Sequence, residues 1–510
     1  MATSTHREVE RTFEVTQDAV VPPLLAVAGV ASVAAPVVHE LEATYFDTPG
    51  LRLAARRITL RRRTGGDDAG WHVKLPVSAD EKSELRRPLG RSTRTVPAAV
   101  LAPVRVHVRD EPVAPVATIA NRRVVHRLLD ADGAVLAEVC DDAVTAEALG
   151  RRPGRTRWRE WEVELVGGAS RLLDEVQALL LTAGATPSAA PSKLFRALDF
   201  RLPERQQPQR ERLPRNCTAA DAVLHTVHGQ VEALLRLDPL VRADEPDAVH
   251  QMRVTIRKLR SALATYRPVL ERAGTDPLRE QLRWLGGVLG AARDAEVVRA
   301  SCGALVAEQP SGLMLGPVAR RLDRTLAQTY RTEHRQVVAA LDGTRWFRLL
   351  DALEALLADP PLTDLAGKPA TEVLPDCVRR DWKRLRHSRI MAEQAATPEE
   401  RLVLRHDVRK AAKRLRYAAE SAEGVCGKAA ARLAKAAKGV QSVLGEQQDA
   451  AVTRQVLRDV AAQAHEQGET TFSYGRLDAL VEAAGAESAA RYEQVWAALD
   501  RARLRRWLGG

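Results

Sequence analysis

At 510 residues with 45% apolar content, the chain is long enough for two or three domains with sizeable cores. Its net charge of +11 admits a polyanionic partner, but an aromatic content of 4% argues against single-stranded nucleic acid, whose binding leans on exposed stacking platforms. Five cysteines, Cys140, Cys217, Cys302, Cys377 and Cys426, are scattered without a Cys-x-x-Cys pair, so neither a zinc site nor a disulfide framework follows and a reducing cytoplasm is expected.

The first 200 residues alternate in period two. Strands are predicted at Arg7 to Val15, Val38 to Phe46, Arg56 to Arg63, Trp71 to Val77, Leu85 to Leu89, Arg122 to Leu129, Val135 to Cys140 and Arg159 to Val166. Gly65-Gly66-Asp67-Asp68 and Asp132-Gly133 are turn signals between them. The uncharged stretch Ala19 to Val38 is interrupted by Pro22, Pro23 and Pro36, which leaves too short a run to cross a bilayer; it reads as a buried helix. Glu8, Glu10, Glu14 and Asp18 before it lack the basic flank of a signal peptide.

Alternation sorts these side chains by face. Glu8, Glu10 and Thr12 oppose Val9, Arg11 and Phe13; Glu160, Glu162 and Glu164 oppose Trp161, Val163 and Leu165. Arg61 and Arg63 share a face, and Lys74 opposes Val73 and Leu75. A wet polar face explains any one strand taken alone. Jointly, acidic pairs on two strands can hold a divalent metal while cations on others grip phosphate oxygens, a combination suited to phosphoryl transfer.

This arrangement resembles the CYTH family, or triphosphate tunnel metalloenzymes, over about residues 6 to 200. Glu8-Val-Glu10-Arg-Thr12 answers its opening Glu-x-Glu-x-Lys; Tyr45-Phe46-Asp47-Thr48-Pro49, Leu60-Arg61-Arg62-Arg63, Trp71-His-Val-Lys74, Asn121-Arg122-Arg123, Asp141-Asp142, Glu162-Val-Glu164 and Ser192-Lys193 fit further along. The resemblance implies an antiparallel barrel whose tunnel binds a triphosphate and Mg2+ or Mn2+. Carried over, Glu8, Glu10, Glu162 and Glu164 form the catalytic and metal side with Asp142 nearby; Arg61, Arg63, Lys74, Lys193 and Arg122 or Arg123 form the phosphate side. Thr12 departs from the pattern, standing where the signature has lysine, and alternation turns Arg11 to the other face.

Residues 201–216, rich in Pro, Gln and Arg, read as a linker between a domain at 1–200 and another at 217–510. Beyond it a basic helical phrase is written twice, His250-x2-Arg253-x3-Arg257-Lys258-x-Arg260 and His406-x2-Arg409-Lys410-x2-Lys413-Arg414-x-Arg416. Offsets of 0, 3, 7 and 10 fall on one helix face, so each copy projects an imidazole and three cations in one stripe. Like charges at these spacings weaken an isolated helix, and a polyanionic ligand accounts for them better than a solvated face does. Leu289-Gly290 with Asp294 is answered by Leu444-Gly445 with Asp449, which makes this part a duplicated helical domain. Arg379 and Lys383, in another basic run, and Lys428, Arg432, Lys435 and Lys438, on one helix face, add to the charge. His250 and His406 also admit a structural role.

The region from about Cys217 onward resembles a CHAD domain, the conserved-histidine alpha-helical domain. The resemblance implies two pseudo-symmetric antiparallel helical bundles with a basic groove for inorganic polyphosphate, here His250, Arg253, Arg257, Arg260, Arg379, Lys383, His406, Arg409, Lys410, Lys413 and Arg416. The expected protein is an α+β multidomain one, a β-barrel followed by an all-α domain, without a membrane anchor. Its expected function is metal-dependent hydrolysis of inorganic triphosphate coupled to polyphosphate binding, in the cytoplasm and in association with polyphosphate granules. The alternative is a polyphosphate-binding protein with little or no catalysis, which Thr12 favours and the intact glutamate pairs disfavour. Adenylate cyclase and thiamine triphosphatase activities, also found in the tunnel family, fit less well with an attached helical domain.

Overall fold

Alternating strands can bury one face only if something covers it, and a closed sheet leaves no unpaired edge. Both conditions are met in the computed structural model of the protein, which describes residues 4–78, 80–90, 95–149, 153–198, 213–214 and 216–509. The chain divides into two compact units, Met1–Gln207 and Pro208–Gly510. Of the expected linker 201–216, only 213, 214 and 216 lie within the described residues.

The strands of the first unit are β1 (Ser4–Val15), β2 (Ser32–Val33), β3 (Val37–Asp47), β4 (Thr59–Thr64), β5 (Gly70–Pro76), β6 (Glu81–Arg87), β7 (Ala114–Leu129), β8 (Val135–Ala148), β9 (Gly154–Leu165) and β10 (Thr186–Pro187). Eight of them run antiparallel in the order β1-β6-β5-β4-β3-β7-β8-β9, and β9 pairs back to β1, closing a barrel; β2 and β10 add short pairings to β7 and β1. Register sets Thr12 opposite Glu162 and Glu10 opposite Glu164 on β1–β9, and Glu8 opposite Lys82 on β1–β6. The apolar faces point outward. Phe13, Trp161, Val163 and Val139 form a core with Leu172, Leu173, Val176 and Leu180 of helix α3 (Ser170–Thr182). A second outer core joins Phe46, Leu60, Trp71 and Val73 to Val100, Val104 and Val108, on and beside the short helices α1 (Ala98–Leu101) and α2 (Arg105–Val108). Helix α4 (Lys193–Ala197) seats Leu194 against Ala146 and Trp158. The inner face carries the charged residues, with Leu41, Ala43 and Ile119 beside them.

Two expectations need correction. Ala19 to Val38 is not a buried helix: it holds a 3-10 turn, Leu24–Ala26, then Gly29 at φ +86°, the short strand β2 and the start of β3. Proline denies amide donors to any longer helix there, so only Leu24 and Val27 are buried while Val20 and Leu25 are exposed. The expected strands at 122–129 and 135–140 are halves of a longer hairpin, β7–β8, paired from Ala117–Ala148 to Leu129–Val135.

The second unit is helical: α5 (Ala219–Arg242), α6 (Ala248–Thr265), α7 (Arg272–Ala307), α8 (Val318–Asp342), α9 (Thr344–Ala358), α10 (Ala370–Glu393), α11 (Pro398–Ser421), α12 (Glu423–Cys426), α13 (Lys428–Glu466) and α14 (Phe472–Leu499). The repeat seen in sequence is a repeat in space. α5-α6-α7-α8 corresponds to α10-α11-α13-α14, and the copies meet through a two-way exchange: Ala219 N donates to Lys368 O at 2.8 Å and Ala370 N to Cys217 O at 3.0 Å. A Thr218–Asp221 capping box starts α5. Leu457 and Val460 of α13 pack with Leu322 and Leu326 of α8 in one core, so the long hairpins also join at their far ends. Among the described residues no helix is long and apolar enough to cross a membrane.

Candidate functional site: a charged tunnel and a cationic cluster

Alternation along the barrel strands turns every second residue inward, and the carboxylates and cations of seven strands, β1 and β4 to β9, converge there. Lys74 Nζ lies 2.5 Å from Glu8 Oε2 and 3.7 Å from Glu10 Oε2. Across the cavity, Lys193 Nζ, at the start of α4, lies 2.9 Å from Asp142 Oδ2 and 2.6 Å from both Glu160 Oε1 and Glu162 Oε1. Arg123 donates to both oxygens of Asp142, at 2.8 and 2.6 Å, and also contacts Glu162. Arg61 and Arg63 of β4 line the same cavity with Glu10, Thr12, Glu162 and Glu164. Arg61 donates to Tyr45 Oη at 3.3 Å.

Burial raises the cost of every charge here, and the partners decide which carboxyls stay ionised. Against that burial, Lys74 and Lys82 hold Glu10 down to about 2. Lys193 and Arg123 hold Glu162 well below the usual carboxylate range, and Arg123 and Lys193 likewise hold Asp142 low. Glu164 has no cation within ion-pair distance among the described residues; burial, with Glu8 and Glu10 adding to it against Lys74, pushes its carboxyl up to about 7. Burial also raises Glu8. Among the cations, burial beside Arg61 and Arg123 lowers Arg63, whose guanidinium also contacts Asp68.

The structure gathers most of the residues expected for this site. Glu10, Arg61, Arg63, Lys74, Arg123, Glu162, Glu164 and Lys193 line the cavity, while Glu8 and Asp142 stand directly behind its cations. Arg122 is the correction: alternation along β7 sends it outward, where it is 55% exposed and pairs with Glu40 at 3.5 Å, so Arg123 alone of that pair enters. Asp47 belongs to the fold, since its buried carboxylate accepts from the backbone amides of Thr48, Leu53 and Ala54.

Three contributors escape a sequence reading that starts the sixth strand at Leu85. Strand β6 begins at Glu81, and its inward residues are Lys82, Glu84 and Arg86. Glu84 is fully buried, 2.9 Å from His72 Nδ1 and 3.7 Å from Arg61. Arg86 reaches Glu8 at 3.2 Å. Lys82 Nζ lies 2.5 Å from Glu10 Oε1, donates to Pro191 O at 3.3 Å and lines the cavity. Because Ser188 N donates to Thr12 O at 2.9 Å, the 188–191 turn runs beside Thr12, and Lys82 brings an ammonium to the region where Thr12 brings none. The alternating triad Lys82-x-Glu84-x-Arg86 was the available signal.

In the helical unit the two copied phrases converge. Arg253 and Arg257 of α6 and Arg409 and Lys413 of α11 are electrostatic neighbours; burial together with those three arginines lowers the Lys413 ammonium to about 7. The repeated glycines and aspartates explain the seat. A methyl group at Gly290 would lie 3.5 Å from Arg253 Nη2, and one at Gly445 would lie 3.2 Å from Arg409 Nη2, so each guanidinium lies on a bare patch of helix. Arg253 Nη1 then meets Asp294 at 2.7 Å, and Arg409 Nη2 meets Asp449 at 3.9 Å.

The remaining expected residues are more dispersed. His250 and His406 flank the cluster, each lowered by burial and by its basic neighbours, Arg293 and Lys410 first among them. Arg260 sits beside Arg283 and Arg279, Arg416 pairs with Glu420, and Lys410 pairs with Asp407. Arg379 is engaged elsewhere, donating to Gly509 O at 2.6 Å and to Asp376, because α10 turns that face to the C-terminal turns. Lys383 is exposed on α10.

Residues 6–188 match the CYTH domain and residues 225–458 match the CHAD domain. The chain belongs to the CYTH–CHAD proteins. Two proteins of Mycobacterium tuberculosis, both described as uncharacterized, are 41% identical over 493 residues, 92% of this chain and 92% of each relative. Among solved structures, PptA from Streptomyces chartreusis is 20% identical, covering 55% of this chain and 100% of that one at a TM-score of 0.45. The CHAD domain from the plant Ricinus communis is 24% identical, covering 58% and 97% at a TM-score of 0.45. A Hippeastrum protein described as a putative adenylyl cyclase with a dominant triphosphatase activity is 17% identical, covering 40% and 99% at a TM-score of 0.24. At these identities the structural likenesses concern the fold alone.

Proposed function

We propose that the CYTH tunnel of this protein hydrolyses inorganic triphosphate, or a closely related triphosphate, and that its CHAD domain binds inorganic polyphosphate. The observation that carries the first half is a cavity inside the closed barrel in which Arg61, Arg63, Lys74, Arg123 and Lys193 face Glu10, Glu162 and Glu164. CYTH tunnels bind triphosphate substrates and depend on divalent cations.

The residues fit such a cation, in this reading Mg2+ or Mn2+. Asp142, Glu160 and Glu162 each offer a carboxylate oxygen within 4.8 Å of one another, and Glu164, with no cation within ion-pair distance among the described residues, lines the same cavity, a set of hard oxygen donors suited to a divalent ion. When bound, it supplies charge neutralisation for the attacking and leaving oxygens. The chain does the rest. Arg61, Arg63, Lys74, Arg123 and Lys193 bind the phosphate oxygens and orient the chain for in-line attack of water on a terminal phosphorus. One P–O bond forms, the bridging P–O bond breaks, and phosphate and pyrophosphate leave. Replacing water in the cavity with fixed guanidinium and ammonium groups strengthens each contact.

The second half is supported by the convergence of Arg253, Arg257, Arg409 and Lys413. A flexible chain with a charge on every phosphate and no bases suits a cluster that has cations and almost no stacking surface. Association with polyphosphate granules follows from the same reading. The less catalytic alternative rests on Thr12, and Lys82 counts against it by restoring a cation to that region. Phosphate release from inorganic triphosphate, ATP and long-chain polyphosphate, each with and without Mg2+, tests the proposal; metal-independent release, or none from any triphosphate, would remove its first half.

A further inference from the structure

We propose that the helical unit carries a second anion site, a groove beside the start of α13 that takes the continuation of a phosphate chain leaving the Arg253–Arg409 cluster. The inference rests on polyphosphate being the ligand of that cluster, and it adds a location and a chain-length dependence.

Arg432 and Lys435 of α13 form one rim of the groove, and Arg501 and Arg503, after the end of α14, form the other. All four are exposed, and none has a carboxylate within ion-pair distance among the described residues. Farther along the same two helices Arg454 pairs with Asp478 and Arg491 with Glu446. The floor is made of small residues. Gly439 packs toward Val495 without a side chain of its own, and Ala436 and Ala498 complete it. No acid and no aromatic lines the groove, so it offers charge without a platform for bases, which selects a phosphate chain over a nucleic acid.

The groove is connected to the cluster by α13 itself. Gly445 lies under Arg409, and Gln441 accepts from Arg416 Nη1 at 3.2 Å. Lys438, Lys435 and Arg432 then follow at close to one per turn, Lys438 also exposed. With a rise of 1.5 Å per residue, Lys435 is about 15 Å and Arg432 about 20 Å from Gly445 along the helix. Unneutralised like charges at these spacings weaken a helix, a cost that a spanning polyanion removes. A ligand of a few phosphates is held by the cluster alone; a long chain occupies both.

The test uses the full-length protein carrying Arg61→Ala and Arg123→Ala, which remove triphosphate from the tunnel, and two probes, long-chain polyphosphate and inorganic triphosphate, titrated over a range of salt without divalent metal. Replacing Arg432, Lys435, Arg501 and Arg503 together by Ala should weaken long-chain binding by about 10- to 100-fold and reduce its log–log salt slope by about 3, since each lost phosphate contact removes about 0.7 to 0.9. Triphosphate binding should not change. Ala498→Glu, which puts one carboxylate on the floor, should weaken the long chain alone and serves as an independent variant. Unchanged long-chain affinity and slope in both variants overturns the second site, as does an equal loss for both probes. If the parent protein does not bind long-chain polyphosphate, the proposed ligand of the helical unit falls with it. If the parent binds and Ala replacements at Arg253 and Arg409 abolish binding while the groove variants do not affect it, only the second site is refuted.

Discussion

Lys82→Met is the most informative single change in the tunnel, because the side chain lost is a cation on the phosphate side and a partner of a carboxylate on the metal side. Its ammonium is 2.5 Å from Glu10, and the side chain is 21% exposed. A charge-assisted hydrogen bond contributes about 1.5–3 kcal/mol when sheltered, and partial exposure places this one near the lower end, so triphosphate affinity should fall about tenfold. Glu10 meanwhile keeps only Lys74 at 3.7 Å, so its oxygens become more available and divalent-cation affinity should hold or rise. That opposite movement separates a ligand role from damaged folding, which would lower both. Thr12→Lys added to Lys82→Met should recover most of the loss, whereas Thr12→Lys in the parent background should add little. Calorimetric titration of triphosphate without metal, followed by Mg2+ alone, reads both quantities. Triphosphate affinity within twofold of the parent in Lys82→Met would show that the ammonium does not touch the ligand.

Glu162→Gln with Glu164→Gln should abolish phosphate release while leaving polyphosphate retention on the helical unit intact; turnover at the parent rate would place the chemistry elsewhere. Lys413 is lowered to about 7 by burial and by Arg409, Arg257 and Arg253, so in the free protein its charge is disfavoured above that pH. A bound polyanion raises it again, so binding takes up a proton and affinity should fall as pH climbs from about 7 toward the ordinary lysine value of about 10.5. In stability the sign is reversed: a depressed lysine penalises the fold fully below pH 7, and the penalty fades as pH rises toward 10.5. Lys413→Met should flatten both profiles, and a pH-independent parent affinity would contradict the cluster. Gly445→Val should displace the Arg409 guanidinium, which already lies 3.2 Å from where a β-carbon would be, and weaken polyphosphate by about 5- to 10-fold with helix content preserved by circular dichroism.

Period alone was enough to reveal much of this protein. Two-residue alternation in the first 200 residues placed Glu8, Glu10 and Thr12 on one face and Phe13 on the other, because a strand leaves each side chain only two directions. The doubled His-x2-Arg phrase announced a duplicated helical unit, since a helix projects offsets of 0, 3, 7 and 10 together whatever surrounds it. Local signals failed where long-range pairing decides. Nothing near Arg122 and Arg123 says which of them enters the barrel; the register of β7 against β3 and β8 does. Lys82, Glu84 and Arg86 alternate visibly in the sequence, but only the pairing of β6 with β1 and β5, which extends the strand past its apolar residues, turns that alternation into an inward face. Likewise Gly290 and Gly445 are legible as a repeated word in the sequence, but only packing of α6 on α7 and α11 on α13 shows that their missing side chains make room for arginines. Face is a property of the backbone within one element; which faces meet is settled by the burial and charge pairing of elements far apart in the chain.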